Sequence, residues 1–398
     1  MPNNHIAWVQ AQTKYISESL LPLSFNIAGL IAGTIIATSF DTVKLVPWGF
    51  MVFPGLLSLR GAIGGMFAGR LSTGLHLGTV NTSLLGNTDY AYTLFSSIVT
   101  LTCVSSLALS ATSSLFSLII LGRTIADTVH MVGVLMCTLA SSVIFISPLT
   151  FALSILSFKR GLDPDVVLYP VVSTTADIVI TLTYVAVIWL SLRPVGVVFI
   201  LFMDALLLAV SLRLYAMHRG SESFMETIRE FLLTLIVVSV IVNVTGSTLD
   251  RVSERIQRFP AVYMSYPAMI DTVGDVGSIV GCTLTTRLAL GEVSMSVGDL
   301  PRIVRAAVYP WVSSLALFMF YAVASSLMFG LGSLGYLVVR FTLMNLVVVP
   351  CIVAVVLLVT KLTYGRGLDP DNFIIPIETT LADTITTVAL LLVLMIGG

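Results

Sequence analysis

Long apolar stretches separated by short polar turns run along almost the whole chain. Roughly ten of them reach about 20 residues or more, which is the length that an α-helix needs to cross the hydrocarbon of a membrane. Backbone polar groups cannot stay unpaired in lipid, so these stretches must be helical. The pattern predicts an all-α polytopic membrane protein with about 11 spans. We place the spans at residues 17–42, 46–75, 92–121, 128–157, 166–192, 195–218, 226–249, 261–290, 304–330, 334–361 and 371–396.

The composition supports the same class of protein. Of 398 residues, 57% are hydrophobic and only 10% are charged, whereas soluble domains are usually about 25% charged. The formal net charge is −1, and no basic tail indicates a nucleic-acid partner. Residues 1–15 are polar, so we expect no cleavable signal. The lipid bilayer is the expected environment.

The sequence contains an internal repeat. One copy reads RGLDPDVVLYPVVSTTAD and ends at Asp177, and the other reads RGLDPDNFIIPIETTLAD and ends at Asp383, so the two copies align without a gap at an offset of 206 residues. A second pair of segments, Pro54–Gly78 and Pro267–Gly291, aligns at an offset of 213 residues. Similar offsets in the same order indicate a duplicated unit.

The span count indicates how the two copies are oriented. Each copy has five spans and therefore ends on the opposite side of the membrane from its start, so the extra span at 195–218 lets the second copy repeat the orientation of the first. We therefore predict two parallel five-helix repeats, residues 1–194 and 219–398, joined by a linking helix at residues 195–218 and related by an axis along the membrane normal. A fused pair of this kind can function as a monomer.

The positive charges give a preferred orientation. Twelve lysines and arginines would lie inside and eight outside with a cytoplasmic N-terminus, and positive residues favour the cytoplasmic side. We expect a multi-pass protein of the cell membrane with its C-terminus external.

Two aspartates inside predicted spans are the main candidates for chemistry. A charge in a span costs about 2.5–3.5 kcal/mol on insertion scales and is usually functional. Asp177 and Asp383 each lie about a dozen residues into a helix, near the middle of the membrane. Spacings of three and four place polar neighbours on the same helix face. These neighbours are Pro170, Ser173, Thr174 and Thr181 in the first repeat and Pro376, Thr379, Thr380 and Thr387 in the second.

Carboxylates surrounded by hydroxyls form a hard oxygen site. Mg²⁺ keeps several of its waters and uses only one or two carboxylates, so it is our first choice of transported ion. The polar stripes contain no His or Cys, which disfavours softer metals. The competing interpretation is structural, with each aspartate bonding a Ser, Thr or backbone group at a helix contact. Asp163 and Asp369, each before a proline, are predicted to be helix N-caps.

Two motifs in each half resemble those of the MgtE-type magnesium channels. Gly274–Glu292, GDVGSIVGCTLTTRLALGE, is similar to the second-helix signature of that family, and the paired GLDP…P…TTxxD segments are similar to its fifth-helix signature. The fused form most resembles the solute-carrier relatives of MgtE. The resemblance implies a pore at the interface of the two repeats, with hydrated magnesium bound by Asp177 and Asp383.

The two halves depart from the family pattern in different ways. The signature asparagine is replaced by Ala62 in the first half and by Asp275 in the second, and Glu378 stands where the first half has Val172. We therefore add Asp275 and Glu378 to the candidate cation ligands. The glycines of the second span either allow close helix packing or line a pore. No segment is long enough for the cytoplasmic sensor domains typical of the family.

Other interpretations stay open at this point. A proton- or sodium-coupled transporter of another solute would use the same buried aspartates. An intramembrane aspartyl protease is more remote, because the two aspartates come from equivalent motifs, and we expect no enzymatic activity and no cofactor. The sequence does not distinguish a channel from a carrier, or Mg²⁺ from Mn²⁺, Co²⁺ and Zn²⁺.

Overall fold

The computed structural model describes residues 16, 19–120, 122, 124–160, 164–256, 260–289, 291–296, 298–366 and 371–395. These residues are almost entirely helical and contain no β-strand, which confirms the predicted all-α class. The helices are α1 (Gly29–Thr38), α2 (Phe40–Lys44), α3 (Gly49–Leu77), α4 (Asp89–Ile120), α5 (Ile125–Lys159), α6 (Pro164–Ser191), α7 (Pro194–His218), α8 (Glu222–Ile256), α9 (Pro260–Ala289), α10 (Leu300–Phe329), α11 (Leu334–Tyr364) and α12 (Asp371–Met395), with 3₁₀ turns at Phe25–Ala28 and Leu331–Ser333.

Local chemistry explains several of the helix ends. The Thr124 hydroxyl accepts the backbone N–H of Asp127, whose carboxylate accepts the N–H of Thr124, so a capping box begins α5. Gly78, with φ +74°, ends α3 in a left-handed conformation that favours glycine. Proline at position 194 opens α7, where its missing N–H costs no hydrogen bond.

Every segment predicted to be a span contains a helix, and the linking helix predicted at 195–218 is present as α7. Eight helices in the described part of the chain are long and apolar enough to cross a membrane. They are Ser19–Thr38, Gly49–Leu77, Asp89–Ile119, Ile125–Lys159, Val171–Ser191, Pro194–His218, Pro301–Phe329 and Leu331–Tyr364. Helix α8 has a shorter apolar part, Leu235–Asp250. The protein is therefore a multi-pass membrane protein, and the count of eleven spans stays a prediction.

The helices group into two compact units. The first unit comprises residues 34–258, and the second comprises residues 1–33 together with residues 259–398. These units reflect packing in space, whereas the predicted domains at 1–194, 195–218 and 219–398 reflect sequence similarity, so the domain boundaries stay a prediction.

In the first unit, α3 packs against α4, α5, α6 and α8. The Phe53 and Tyr184 rings stack with centroids 6.0 Å apart, and the buried Tyr184 hydroxyl donates to the Gly49 carbonyl oxygen at 2.6 Å. At the contact between α8 and α3, a Cβ on Gly246 would overlap the carbonyl oxygen of Met51. Only glycine permits this close approach of two helix backbones.

In the second unit, α9 packs against α10, α11 and α12. Here a Cβ on Gly33 would overlap the carbonyl oxygen of Met264. Gly33 and Gly246 are 213 residues apart, and so are Met51 and Met264, which is the offset that relates the second spans of the predicted repeats. The second compact unit therefore contains residues 1–33 of the first predicted repeat, and the first unit contains α8, which the sequence assigns to the second repeat.

Candidate cation site

In the first unit, the predicted polar stripe lies on α6. Asp177 is near the middle of this 28-residue helix and its side chain is only 4% exposed. Thr174 and Thr181 are buried as well, and Ser173 is half-buried. These side chains therefore face protein rather than lipid. Both a cation-binding role and a structural role require such burial.

A buried arginine lies on α3, which packs against α6. Arg60 is 5% exposed, and its guanidinium donates to the Val172 carbonyl oxygen at 3.3 Å. It borders a cavity of about 20 Å³, which is large enough for a single water. Hydroxyl groups from α4 and α5 also line this cavity, those of Thr102, Ser142, Ser147 and Thr150. The first unit thus contains a buried arginine on α3 as well as the buried aspartate on α6.

In the second unit, the matching stripe lies on α12. Asp383 is near the middle of this 25-residue helix, and Asp383 and Thr380 are buried while Thr379 is half-buried. The Thr387 hydroxyl donates to the Asp383 backbone carbonyl at 2.7 Å and is 2.8 Å from the Tyr266 hydroxyl on α9. This bond fixes the rotation of α12 against α9, so that Asp383 lies on the face directed at α9.

Glu378 lies in the same contact between α12 and α9 and is 1% exposed. Its Oε1 accepts a hydrogen bond from the Ser278 hydroxyl at 2.5 Å, and the Thr379 hydroxyl lies 3.4 Å from the same oxygen. Its Oε2 has no hydrogen-bond partner among the described residues. A buried carboxylate oxygen without a donor is costly, so this oxygen is a natural ligand for a cation.

The glycines of α9 create the space for this carboxylate. A Cβ on Gly277 would lie 2.8 Å from the Glu378 Oε2, and one on Gly274 would lie 3.6 Å from it. In the first unit, a Cβ on Gly61 or Gly69 would meet no atom within 4 Å. Gly64, the equivalent of Gly277 in the first unit, makes room for the Arg60 side chain instead, because a Cβ there would lie 3.2 Å from its guanidinium.

Asp275 is half-buried on α9. The Asn26 side-chain amide, in the 3₁₀ turn before α1, donates to its Oδ2 at 2.8 Å. Asp275 and Asp383 both interact electrostatically with the Glu378 carboxylate. Helices α9 and α12 thus bring Glu378 within electrostatic range of both Asp275 and Asp383, and a shared cation site for these three carboxyl groups stays a prediction.

Some predictions are not addressed by these contacts. In the part of the chain that the structure describes, no three His, Cys, Asp or Glu side chains form a group that could hold a metal ion directly. A common site for Asp177 and Asp383 stays a prediction. The predicted N-caps Asp163 and Asp369 lie outside the described residues.

Four residues that make contacts around these carboxyl groups in the second unit were not predicted from the sequence: Asn26, Tyr266, Ser278 and Tyr321. The Tyr321 hydroxyl is 2.8 Å from that of Thr272, one turn before Asp275. One signal was available for Asn26, because an amide side chain inside an apolar span is unusual and demands a hydrogen-bond partner. The remaining three are ordinary residues for a helix contact, and nothing in the pattern separates them from packing.

A bundle of apolar helices with carboxylates buried at mid-helix among hydroxyls is the arrangement of a membrane transport protein for cations. Comparison with protein-family models identifies the family. The chain matches the model of MgtE, divalent cation transporter, over residues 53–187 and 266–393, which together are more than half of its length, and the chain belongs to this family. No curated protein and no solved structure matches it. The family transports divalent cations and is not a family of enzymes, which excludes the protease interpretation.

Proposed function

We propose that the chain carries Mg²⁺ across the membrane and that Asp177 and Asp383 hold the ion, largely through its water shell. The observation that carries this proposal is the burial of both carboxylates at mid-helix, each 5% exposed or less, on equivalent positions of the two repeats. The hydroxyls of Ser173 and Thr174, and of Thr379 and Thr380, supply further oxygens that can bond to the coordinated waters.

The electrostatic magnitudes favour a divalent cation. At an effective dielectric constant of about 20 and a separation of about 5 Å, one carboxylate attracts a doubly charged ion by roughly 6 to 7 kcal/mol. This exceeds the roughly 2.5–3.5 kcal/mol that insertion of an aspartate into a span costs. A monovalent ion at the same place would gain half as much. Keeping the water shell avoids the cost of dehydrating Mg²⁺, which gives up its waters reluctantly.

The second unit adds Asp275 and Glu378 to this proposal. Glu378 lies within electrostatic range of both Asp275 and Asp383, and a group of carboxyl oxygens attracts cations and raises their local concentration. We assign Glu378 Oε2 as a ligand for the ion or for one of its waters, since it has no hydrogen-bond partner within the described structure.

The remaining predictions from the sequence belong to the same proposal. They are a pore along the pseudo-two-fold axis of the repeats, function as a monomer, a cytoplasmic N-terminus and an external C-terminus. The family membership and the recurrence of the aspartate motif in both halves support the first of them.

The test is Mg²⁺ entry into liposomes that contain the purified protein and a magnesium-sensitive dye, with no other ion gradient. Wild type is compared with Asp177→Asn and Asp383→Asn, which keep side-chain size and remove the charge. Asp204→Asn is the matched control, because Asp204 is also a carboxylate inside a helical span, α7, with a buried Oδ1. We expect entry in wild type and in the control, and loss of most entry in both site variants.

Two results would contradict the proposal. If Asp204→Asn loses as much Mg²⁺ entry as the two site variants, the loss does not depend on the predicted site. The effect of these substitutions would then be structural. Absence of Mg²⁺ entry in a well-folded wild type would favour the proton- or sodium-coupled alternative, which a pH or Na⁺ gradient across the same liposomes would reveal.

A further inference from the structure

Asn26 reaches the acidic site from a distant part of the sequence. It is 1% exposed and lies in the 3₁₀ turn Phe25–Ala28, 249 residues before the aspartate that it contacts. Its Nδ2 donates to Asp275 Oδ2 at 2.8 Å and lies 3.5 Å from the Thr272 hydroxyl oxygen. A buried amide costs free energy unless it is bonded, so this contact holds both partners in place.

The helix that follows the turn is anchored on α9. A Cβ on Gly29 would lie 3.1 Å from the Ala268 Cα, and one on Gly33 would overlap the Met264 carbonyl oxygen. Two glycines four residues apart allow helices to approach at backbone distance. The anchor leaves the turn little freedom along α9, so Asn26 is presented to Asp275 in a defined register.

The equivalent position in the first unit provides an internal comparison. At the offset of 213 residues, Asn26 corresponds to Ser239 and Asp275 corresponds to Ala62. The Ser239 hydroxyl donates to the Leu235 carbonyl oxygen of its own helix, at 2.6 Å. The amide is therefore present in the half that has a carboxylate and is replaced by a locally satisfied serine in the half that has none.

We infer that Asn26 is a positioning residue for the cation pathway, which orients the Asp275 carboxylate toward the transported ion without neutralising it. This inference rests on the proposed function. An amide donor fixes one carboxylate oxygen by a charge-assisted hydrogen bond, whereas a lysine or arginine would cancel the charge that attracts the ion. Because an amide is uncharged, this hydrogen bond itself leaves the charge of Asp275 unchanged, and Asp275 interacts electrostatically with Glu378.

The experiment is the dependence of liposome Mg²⁺ entry on Mg²⁺ concentration, together with the unfolding temperature of each purified variant. Asn26→Ala removes the donor, and Asn26→Leu removes it while keeping most of the volume, in case the smaller residue disturbs folding. We expect both to raise the Mg²⁺ concentration for half-maximal entry by about tenfold. A tenfold change corresponds to about 1.4 kcal/mol, which is close to the contribution of one hydrogen bond to a charged group. Ser239→Ala, the matched control, leaves that concentration unchanged.

A second set of variants separates positioning from simple structural support. If Asn26 acts through Asp275, Asn26→Leu has no further effect on half-maximal entry in an Asp275→Ala background. The exchange Asn26→Asp with Asp275→Asn keeps an amide–carboxylate pair, so it should restore the unfolding temperature but not the affinity, because the charge has moved.

The inference is overturned if Asn26→Leu lowers the unfolding temperature but leaves the Mg²⁺ concentration for half-maximal entry unchanged. It is also overturned if the effects of Asn26→Leu and Asp275→Ala on that concentration are additive. Wild type without Mg²⁺ entry would overturn the proposed function and this inference together. If wild type shows Mg²⁺ entry and Asn26→Leu has the same Mg²⁺ concentration for half-maximal entry, this inference alone is overturned.

Discussion

Gly277→Ala tests the geometry of the Glu378 site with a single methyl group. The added Cβ would lie 2.8 Å from Glu378 Oε2 and 3.3 Å from the Ile352 side chain. The first distance is too short, and the glutamate end is the flexible partner, so the carboxylate must move away. The substitution therefore shifts Glu378 rather than breaking the contact between α9 and α12.

The expected magnitude follows from two opposing effects. Alanine in place of glycine stabilises a helix interior by about 0.5–1 kcal/mol. Displacement of Glu378 loses the hydrogen bond that Ser278 donates at 2.5 Å, and such bonds to charged groups contribute about 1.5–3 kcal/mol. The net result is a destabilisation of about 0.5–2.5 kcal/mol. Mg²⁺ entry should also fall, because the Glu378 carboxyl group is displaced from its position in the contact between α9 and α12.

The assay is thermal unfolding of the purified protein beside liposome Mg²⁺ entry. The control is Gly61→Ala, at the position equivalent to Gly274 in the first repeat, where a Cβ meets no atom within 4 Å. This control should unfold at the same or a slightly higher temperature.

A double variant identifies the clash as the cause. In a Glu378→Ala background the methyl at position 277 has no carboxylate to displace, so Gly277→Ala should become neutral or stabilising. If the two substitutions are additive instead, their interaction energy is zero and the reasoning is refuted.

Three further predictions concern the surrounding structure. Gly33→Ala should destabilise the second unit by more than about 2 kcal/mol, because the methyl overlaps a backbone oxygen of Met264 that cannot move aside; an unchanged unfolding temperature would contradict this contact. Tyr184→Phe should cost about 1 kcal/mol by removing the hydrogen bond that the buried tyrosine hydroxyl donates to the Gly49 carbonyl oxygen, whereas the same change at an exposed tyrosine should cost nothing measurable. The Ser294 hydroxyl and N–H lower the pKa of the Asp299 carboxyl, so this loop contact is present above the ordinary aspartate pKa and is lost as pH falls through the lowered value. The protection of the Ser294 amide against hydrogen exchange, relative to its intrinsic rate at each pH, should therefore fall only in that acidic range. Loss of protection that begins at neutral pH would refute this prediction.

The helices were predictable because the apolar runs are long and their ends carry recognisable caps. The segment predicted at 195–218 appears as Pro194–His218, and proline at its first position is a standard start signal. Asp177 and Asp383 were predictable as buried mid-helix carboxylates, because a charge within an apolar run stands out in the sequence.

The contacts that assemble the second unit's site were not predictable in the same way. The Asn26–Asp275 hydrogen bond joins residues 249 positions apart, and the Tyr266–Thr387 bond joins residues 121 apart. Periodicity reports which face of a helix is polar but not which other helix that face meets. The repeat shows which segments have similar sequences, but it does not show which helices pack together. The packing of residues 1–33 with the second unit, and of α8 with the first, could therefore not be predicted from it.

The most direct test of the central claim is to locate a divalent ion in the protein. Crystals grown with Mn²⁺ in place of Mg²⁺ give an anomalous scattering signal from the ion. A water-bridged ion should appear within about 5 Å of the Asp177 or Asp383 carboxylate, and the peak should vanish in the corresponding asparagine variant. A peak elsewhere in the chain that persists in both variants would contradict the account.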